Sequence, residues 1–132
     1  MVLKVFRWAP GARERLQEYA IPFQEGMTVL DALVDAQRRL DPTLAFRYAC
    51  RVGMCGSCAM VIDGRERWAC RTLLRSLGSG PVTVRPLYHF PLIRDLVVDM
   101  APFKEKMVAV GASFVPAEGP AAPDCWQSGV RP

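Results

Sequence analysis

Apolar and polar residues alternate from the start of the chain, and V-L-K-V-F-R-W at residues 2–8 reads as a strand. Pro10-Gly11 marks a turn, and a second strand at about 16–23, ending at Phe23, would close a hairpin. The period then changes. Leu30, Leu33, Val34 and Leu40 recur at helical spacing behind Thr28, a natural N-cap with Asp31 three residues on, a weaker version of the capping box. Arg38 and Arg39 stand near the C-terminal end, where the helix dipole favours cations, and Asp41-Pro42 stops the helix. Residues 43–58 keep no clean period and read as a structured loop. Ala59–Ile62 is a short apolar strand, Asp63-Gly64 a hairpin turn and Glu66–Cys70 the return strand. Thr72–Leu77 fits a helical turn, Gly78-Ser79-Gly80-Pro81 a loop, and Val82–Leu87 the last strand. The order ββαβ(β)β with one helix predicts an α+β domain, a small mixed sheet wrapped on a helix in the β-grasp arrangement. From about residue 91, P-L-I-R-D-L-V-V-D-M-A-P-F-K-E-K-M has helical character, with Leu92, Leu96 and Asp99/Met100 on one face. From Val115 the composition turns to P-A-E-G-P-A-A-P, an extended, linker-like tail.

At 132 residues, 51% of them apolar, the chain has the material for one domain and a tail. Arg, Asp or Pro interrupts each apolar stretch within about ten residues, short of the ~20 a membrane span needs. The N-terminus has no apolar h-region and no small-residue cleavage site, so secretion is not expected and a cytoplasmic location is. The net charge of +4 comes from 14 Arg and 3 Lys against 13 acids. The arginines are scattered, with Arg38–Arg39 the densest pair, whereas nucleic-acid readers concentrate such charge. A basic balance instead favours an acidic protein partner.

Of five cysteines, four lie close together and Cys125 stands alone in the tail. Without a secretory signal, clustered thiols point to metal or redox chemistry. Their spacing is C-x4-C-x2-C-x11-C: Cys50, Cys55, Cys58 and Cys70. Four thiolates can hold two irons bridged by two sulfides, two ligands per iron, and C-x4-C-x2-C with a more distant Cys is the plant-type run. A loop around such a cluster must bend tightly and turn its N–H groups toward sulfur, and Gly53 and Gly56 supply the backbone freedom. Arg51, inside the loop, can offset negative charge or meet a partner acid, while Met54 and Met60 are candidate shields from water. Cys70, on the return strand, would pin the site to the sheet. Four thiols on one zinc ion are the alternative, although structural zinc usually takes two C-x2-C-like pairs and only Cys55/Cys58 form one here. A thioredoxin-like C-x-x-C lacks its βαβ context. His89 is the only histidine, so a Rieske-type centre, which needs two, is excluded. Its expected role is structural or at an interface. Paired catalytic carboxylates, Ser/His/Asp arrangements and phosphate-cradling loops are missing, so no substrate chemistry is expected of this chain by itself.

F-R-Y-A-C-R-V-G-M-C-G-S-C-A-M-V-I-D-G-R-E-R-W-A-C-R-T resembles the N-terminal ferredoxin domain of the iron–sulfur subunit of succinate dehydrogenase and fumarate reductase. P-L-I-R-D-L-V-V-D-M, at 91–100, is similar to the segment that follows that domain, and the resemblance covers about residues 1–103. Residues 104–132 are then a helix end and a partner-docking tail. The resemblance implies a β-grasp, plant-type 2Fe-2S ferredoxin-like domain with Cys50, Cys55, Cys58 and Cys70 as iron ligands. It also implies single-electron exchange with an FAD-containing dehydrogenase or reductase subunit. A further iron–sulfur subunit or a membrane anchor would belong to the same assembly, bringing the chain to the inner face of a membrane through its partners. Two departures stand out. Val52 occupies a position where the family commonly has an acidic residue, and no C-x2-C-x2-C-x3-C-P run follows for further clusters. The Pro/Ala-rich ending favours a stand-alone ferredoxin subunit over a fragment. Two other readings are a free soluble ferredoxin shuttle and a zinc-stabilised binding module with no redox role.

Overall fold

The computed structural model of the chain describes residues 1–112. The Pro/Ala-rich tail and Cys125 therefore lie outside the described residues. The chain divides after Met100 into two units. In the first, strands β1 (Val2–Arg7), β2 (Arg15–Ala20), β3 (Ala59–Ile62), β4 (Arg65–Trp68) and β5 (Val82–Arg85) form one sheet in the order β2-β1-β5-β3-β4. Only β1 and β5 run parallel, with Leu3 opposite Val82, and every other neighbour is antiparallel. This is the expected β-grasp sheet.

Helix α1 (Val29–Arg39) starts where the Thr28 side chain accepts from the Asp31 amide at 3.2 Å and the Asp31 carboxylate accepts from the Thr28 amide at 3.0 Å. The capping box is complete, not weakened. Leu30, Leu33, Val34 and Ala36 enter one buried cluster with Leu3 and Val5 of β1, Met60 and Ile62 of β3, and Val82 and Val84 of β5. Leu40 differs from the helical expectation. It caps the helix and is exposed, because the chain turns away at Asp41.

Several boundaries move. The second strand stops at Ala20, ahead of Pro22, and β5 stops at Arg85, ahead of Pro86. The return strand β4 ends at Trp68, and Cys70 sits on a single 3-10 turn, Ala69–Arg71, with a second such turn at Leu74–Leu77. The larger correction concerns residue 91 onward. Leu92–Arg94 (β6) and Val97–Val98 (β7) form an antiparallel hairpin, and the helix, α2 (Ala101–Ala109), begins only in the second unit. Asp95, in the turn, has φ +47, a left-handed conformation that Asp tolerates and that a helix cannot contain.

Arg7 explains that turn. Along β1 it shares the parity of Leu3 and Val5, so its guanidinium faces inward and is only 5% exposed. Nε donates to Asp95 at 3.0 Å, Nη1 to the Tyr19 hydroxyl at 2.6 Å and to Asp41, and Nη2 to Thr43 at 2.8 Å. Tyr19 donates in turn to Asp41 at 2.9 Å. Burial opposes the Arg7 charge, but the bonds to Asp95, Asp41 and Tyr19 outweigh it and raise its pKa. Burial, reinforced by the bond to Asp41, pushes the Tyr19 phenol up from 10.0 to about 12. A pKa raised on folding gives stability that is complete below the unfolded value and is lost as pH rises through the folded one. Between about pH 9 and about pH 11, urea unfolding should therefore show about 1 kcal/mol more loss in the wild type than in Tyr19→Phe. Equal losses would contradict the buried phenol.

Candidate metal centre

The long loop from Thr43 to Cys58 connects α1 to β3 and carries three of the four clustered thiols. Cys50 and Cys55 form one pair. The amides of Met54 and Cys55 point at the Cys50 sulfur, at 3.3 and 3.4 Å, and the Cys50 amide points at the Cys55 sulfur at 3.5 Å. The Cys55, Val52 and Met54 amides lower the Cys50 pKa. The Ser57 hydroxyl, followed by the Cys50 and Ser57 amides, brings the Cys55 thiol down to about 6. Amide donors aimed at sulfur favour the thiolate, the form that binds metal.

Cys58 and Cys70 form the other pair, 3% and 6% exposed, inside the hydrophobic core. Burial raises the Cys58 thiol, against the opposing Cys70 and Ala69 amides. The Ala69 amide donates to the Cys58 carbonyl at 3.1 Å, joining the 3-10 turn to the start of β3. Beyond Cys70 the chain is tied to the N-terminus of α1, through Val29 N–H to the Thr72 carbonyl and Leu74 N–H to the Met27 carbonyl, both 2.9 Å. Cys70 is thus pinned to the fold by this turn and the helix, where a strand register had been expected to do it.

Arg51 has φ +60 and lays its guanidinium 5.1 Å from the centre of the Tyr48 ring, which stacks on Phe46. Gly53, at φ +77, has no room for a side chain, since a Cβ there would lie 2.8 Å from Arg71 Cγ. Gly56 has open space around it and is needed only for its φ of +72. The two methionines separate. Met54 is 83% exposed at the loop tip beside exposed Val52, and Met60 belongs to the core. His89 is exposed, with its ring edge toward Tyr88. Sequence reasoning missed the β6–β7 hairpin, whose Asp95, Leu96 and Val98 bond the chain segment leading to Cys50. The signal that could have found it is Arg7, a charge at an inward position of an alternating strand.

Four thiols on one ion would have to gather about a single point, and among the described residues no three His, Cys, Asp or Glu side chains do so. Two pairs, each beside its own backbone amides, fit a group with two metal ions.

The family described as the 2Fe-2S iron-sulfur cluster binding domain matches residues 2–105. The chain belongs to that family. It is 40% identical over 126 residues to a fumarate reductase iron-sulfur subunit of Mycobacterium tuberculosis, covering 94% of this chain and 51% of that protein. It is 36% identical over 130 residues to a succinate dehydrogenase iron-sulfur subunit of Paracoccus denitrificans, covering 96% and 49%. In structure it resembles a chain of the Mycobacterium smegmatis Sdh1 complex in the apo form, with TM-score 0.77 and 37% identity over 88% of this chain and 48% of that one. The chain spans about half the length of the curated relatives it matches. The resemblance read from the cysteine loop is borne out, and so is the ferredoxin-like fold. No helix among the described residues is long and apolar enough to cross a membrane.

Proposed function

We propose that the chain is a one-electron relay, with Cys50 and Cys55 holding one iron of a 2Fe-2S cluster and Cys58 and Cys70 the other. The observation that carries this is the pairing of the thiols, with amides of their own loop directed at the Cys50 and Cys55 sulfurs. When bound, such a cluster would supply a centre that accepts and returns single electrons. Amides facing the sulfurs favour added negative charge, and so favour the reduced state. Gly53 and Gly56 let the loop adopt that geometry. Exposed Cys55 and half-buried Cys50, rimmed by exposed Val52 and Met54, are the end a partner can approach.

The relatives' names extend the reading to an assembly of succinate dehydrogenase or fumarate reductase type. The partner is an FAD-containing subunit that handles the two-electron substrate. A membrane-anchor or further iron–sulfur subunit would place the complex at the inner, cytoplasmic face of a membrane. The test is a gentle pull-down of the tagged chain from its native host, read by visible spectrum and mass analysis. A flavin band and a large subunit eluting with iron–sulfur absorption support the proposal. A red-brown chain eluting alone would mean a free carrier, and a colourless one containing zinc would end the electron-transfer reading.

A further inference from the structure

Irregular segments cannot satisfy their own backbone groups, so the partners of residues 43–49 decide where the cluster loop begins. Leu44 is held by α1 and its end: its amide donates to the Asp41 carbonyl at 3.2 Å and its carbonyl accepts from Gln37 at 2.7 Å. Among the described residues, Ala45 has its backbone bonds from the hairpin alone. Its amide donates to Asp95 Oδ2 at 2.9 Å, and its carbonyl accepts from the Leu96 amide at 3.2 Å. Arg94 donates to the Thr43 carbonyl at 3.2 Å, and Arg47 to the Val98 carbonyl at 3.0 Å. Four hydrogen bonds thus join β6–β7 to residues 43–47, just ahead of Cys50. Asp95 is 2% exposed, and its other oxygen accepts from Arg7 Nε and the Trp8 amide, both at 3.0 Å.

We infer that the β6–β7 hairpin clamps the approach to the cluster loop and that Asp95 is its positioning residue. Asp95 touches no thiol. It acts by fixing Ala45 against β1, so that the turn carrying Cys50 and Cys55 starts from one position. Its left-handed backbone, φ +47, sets it in the hairpin turn, where one carboxylate bonds both Ala45 and Arg7. The inference rests on the cluster reading proposed above.

The experiment loads wild type, Asp95→Asn, Arg47→Met and Tyr19→Phe with iron and sulfide under anaerobic conditions. It follows folding by far-UV circular dichroism, bleaching by an iron chelator, and the EPR spectrum of the reduced protein. Folded Asp95→Asn should bleach about tenfold faster than wild type with changed EPR g-anisotropy, the lower end of what outer-shell partners of metal ligands supply. Arg47→Met, at an exposed side chain, should bleach about threefold faster, since it removes one of the same ties. Tyr19→Phe, which cuts the Arg7 network away from Ala45, should stay within about twofold of wild type with an unchanged spectrum. Folded Asp95→Asn with the wild-type rate and spectrum overturns the clamp, and so does Tyr19→Phe matching Asp95→Asn. If Asp95→Asn does not fold, Arg47→Met decides, and wild-type behaviour there overturns it. Wild type that takes up no cluster would instead sink the electron-transfer function, and the clamp with it.

Discussion

Serine at Cys58 or Cys70 should leave less than about a tenth of the wild-type iron and no visible absorption, while serine at Cys55 should keep a third or more with a shifted spectrum. The difference follows from burial. Cys58 and Cys70 lie in the core, closed in by β3, the 3-10 turn and the start of α1. A serine hydroxyl there has no nearby solvent to take its proton, and no water can replace the missing ligand. At the exposed Cys55 position, amides already favour an anion and solvent can supply a substitute ligand. Iron and sulfide assays on the purified variants give the answer. Equal retention in all three would refute the control of ligand replacement by burial.

The second large effect is on stability. Arg7→Met should cost about 3–5 kcal/mol, since removing one member of a buried ion network strands the others. Asp41 and Asp95 would lose their shared cation, with side chains 15% and 2% exposed. With a urea slope of about 2 kcal/mol per M, the midpoint should fall by roughly 2 M. Lysine should rescue little, because Arg7 donates from Nε, Nη1 and Nη2 at once and one ammonium cannot span those partners. The network also predicts a pH effect. Burial opposes ionisation of Asp41, but bonds from Thr43, Tyr19 and Arg7 outweigh it and hold its carboxyl well below the usual range. A carboxyl depressed on folding adds stability that is present above its unfolded pKa and lost as pH falls below about 4. Without Arg7 part of that acid-side loss should disappear, the bonds from Thr43 and Tyr19 keeping the rest. A midpoint within about 0.5 M of wild type would show that the network contributes little.

The elements that could be read from the sequence are those whose signals are local. Alternation marks β1, Thr28 with Asp31 marks the start of α1, and Asp63-Gly64, both at positive φ, make the tight β3–β4 turn. The cysteine spacing points to the centre because ligand geometry restricts how far apart thiols can lie along a chain. The hairpin at 92–98 was misread because Leu92 and Leu96 stand four apart, a spacing a short apolar segment shares with a helix. What decides its shape is distant, namely an inward arginine on β1 that needs a carboxylate from the other end of the domain. Cys70 was misplaced onto a strand for a related reason. The residues just after it, Thr72 and Leu74, are bonded to Val29 and Met27, which lie far back along the chain.

The parallel pairing of β1 with β5 sets an order of events during synthesis. Leu3 has no neighbour on that side until Val82 has been made, and β5 is also what joins β3 to β1. All four clustered thiols are therefore translated before the sheet that houses them can close. At roughly 5–20 residues per second, the stretch from Cys70 to Arg85 takes about 1–3 seconds, and Asp95 follows later. Until β5 is in place, Cys58 and Cys70, which the finished fold hides, lack the closed sheet that covers them. If these thiols hold the proposed cluster, metal would reach the buried pair more readily before the sheet closes than after.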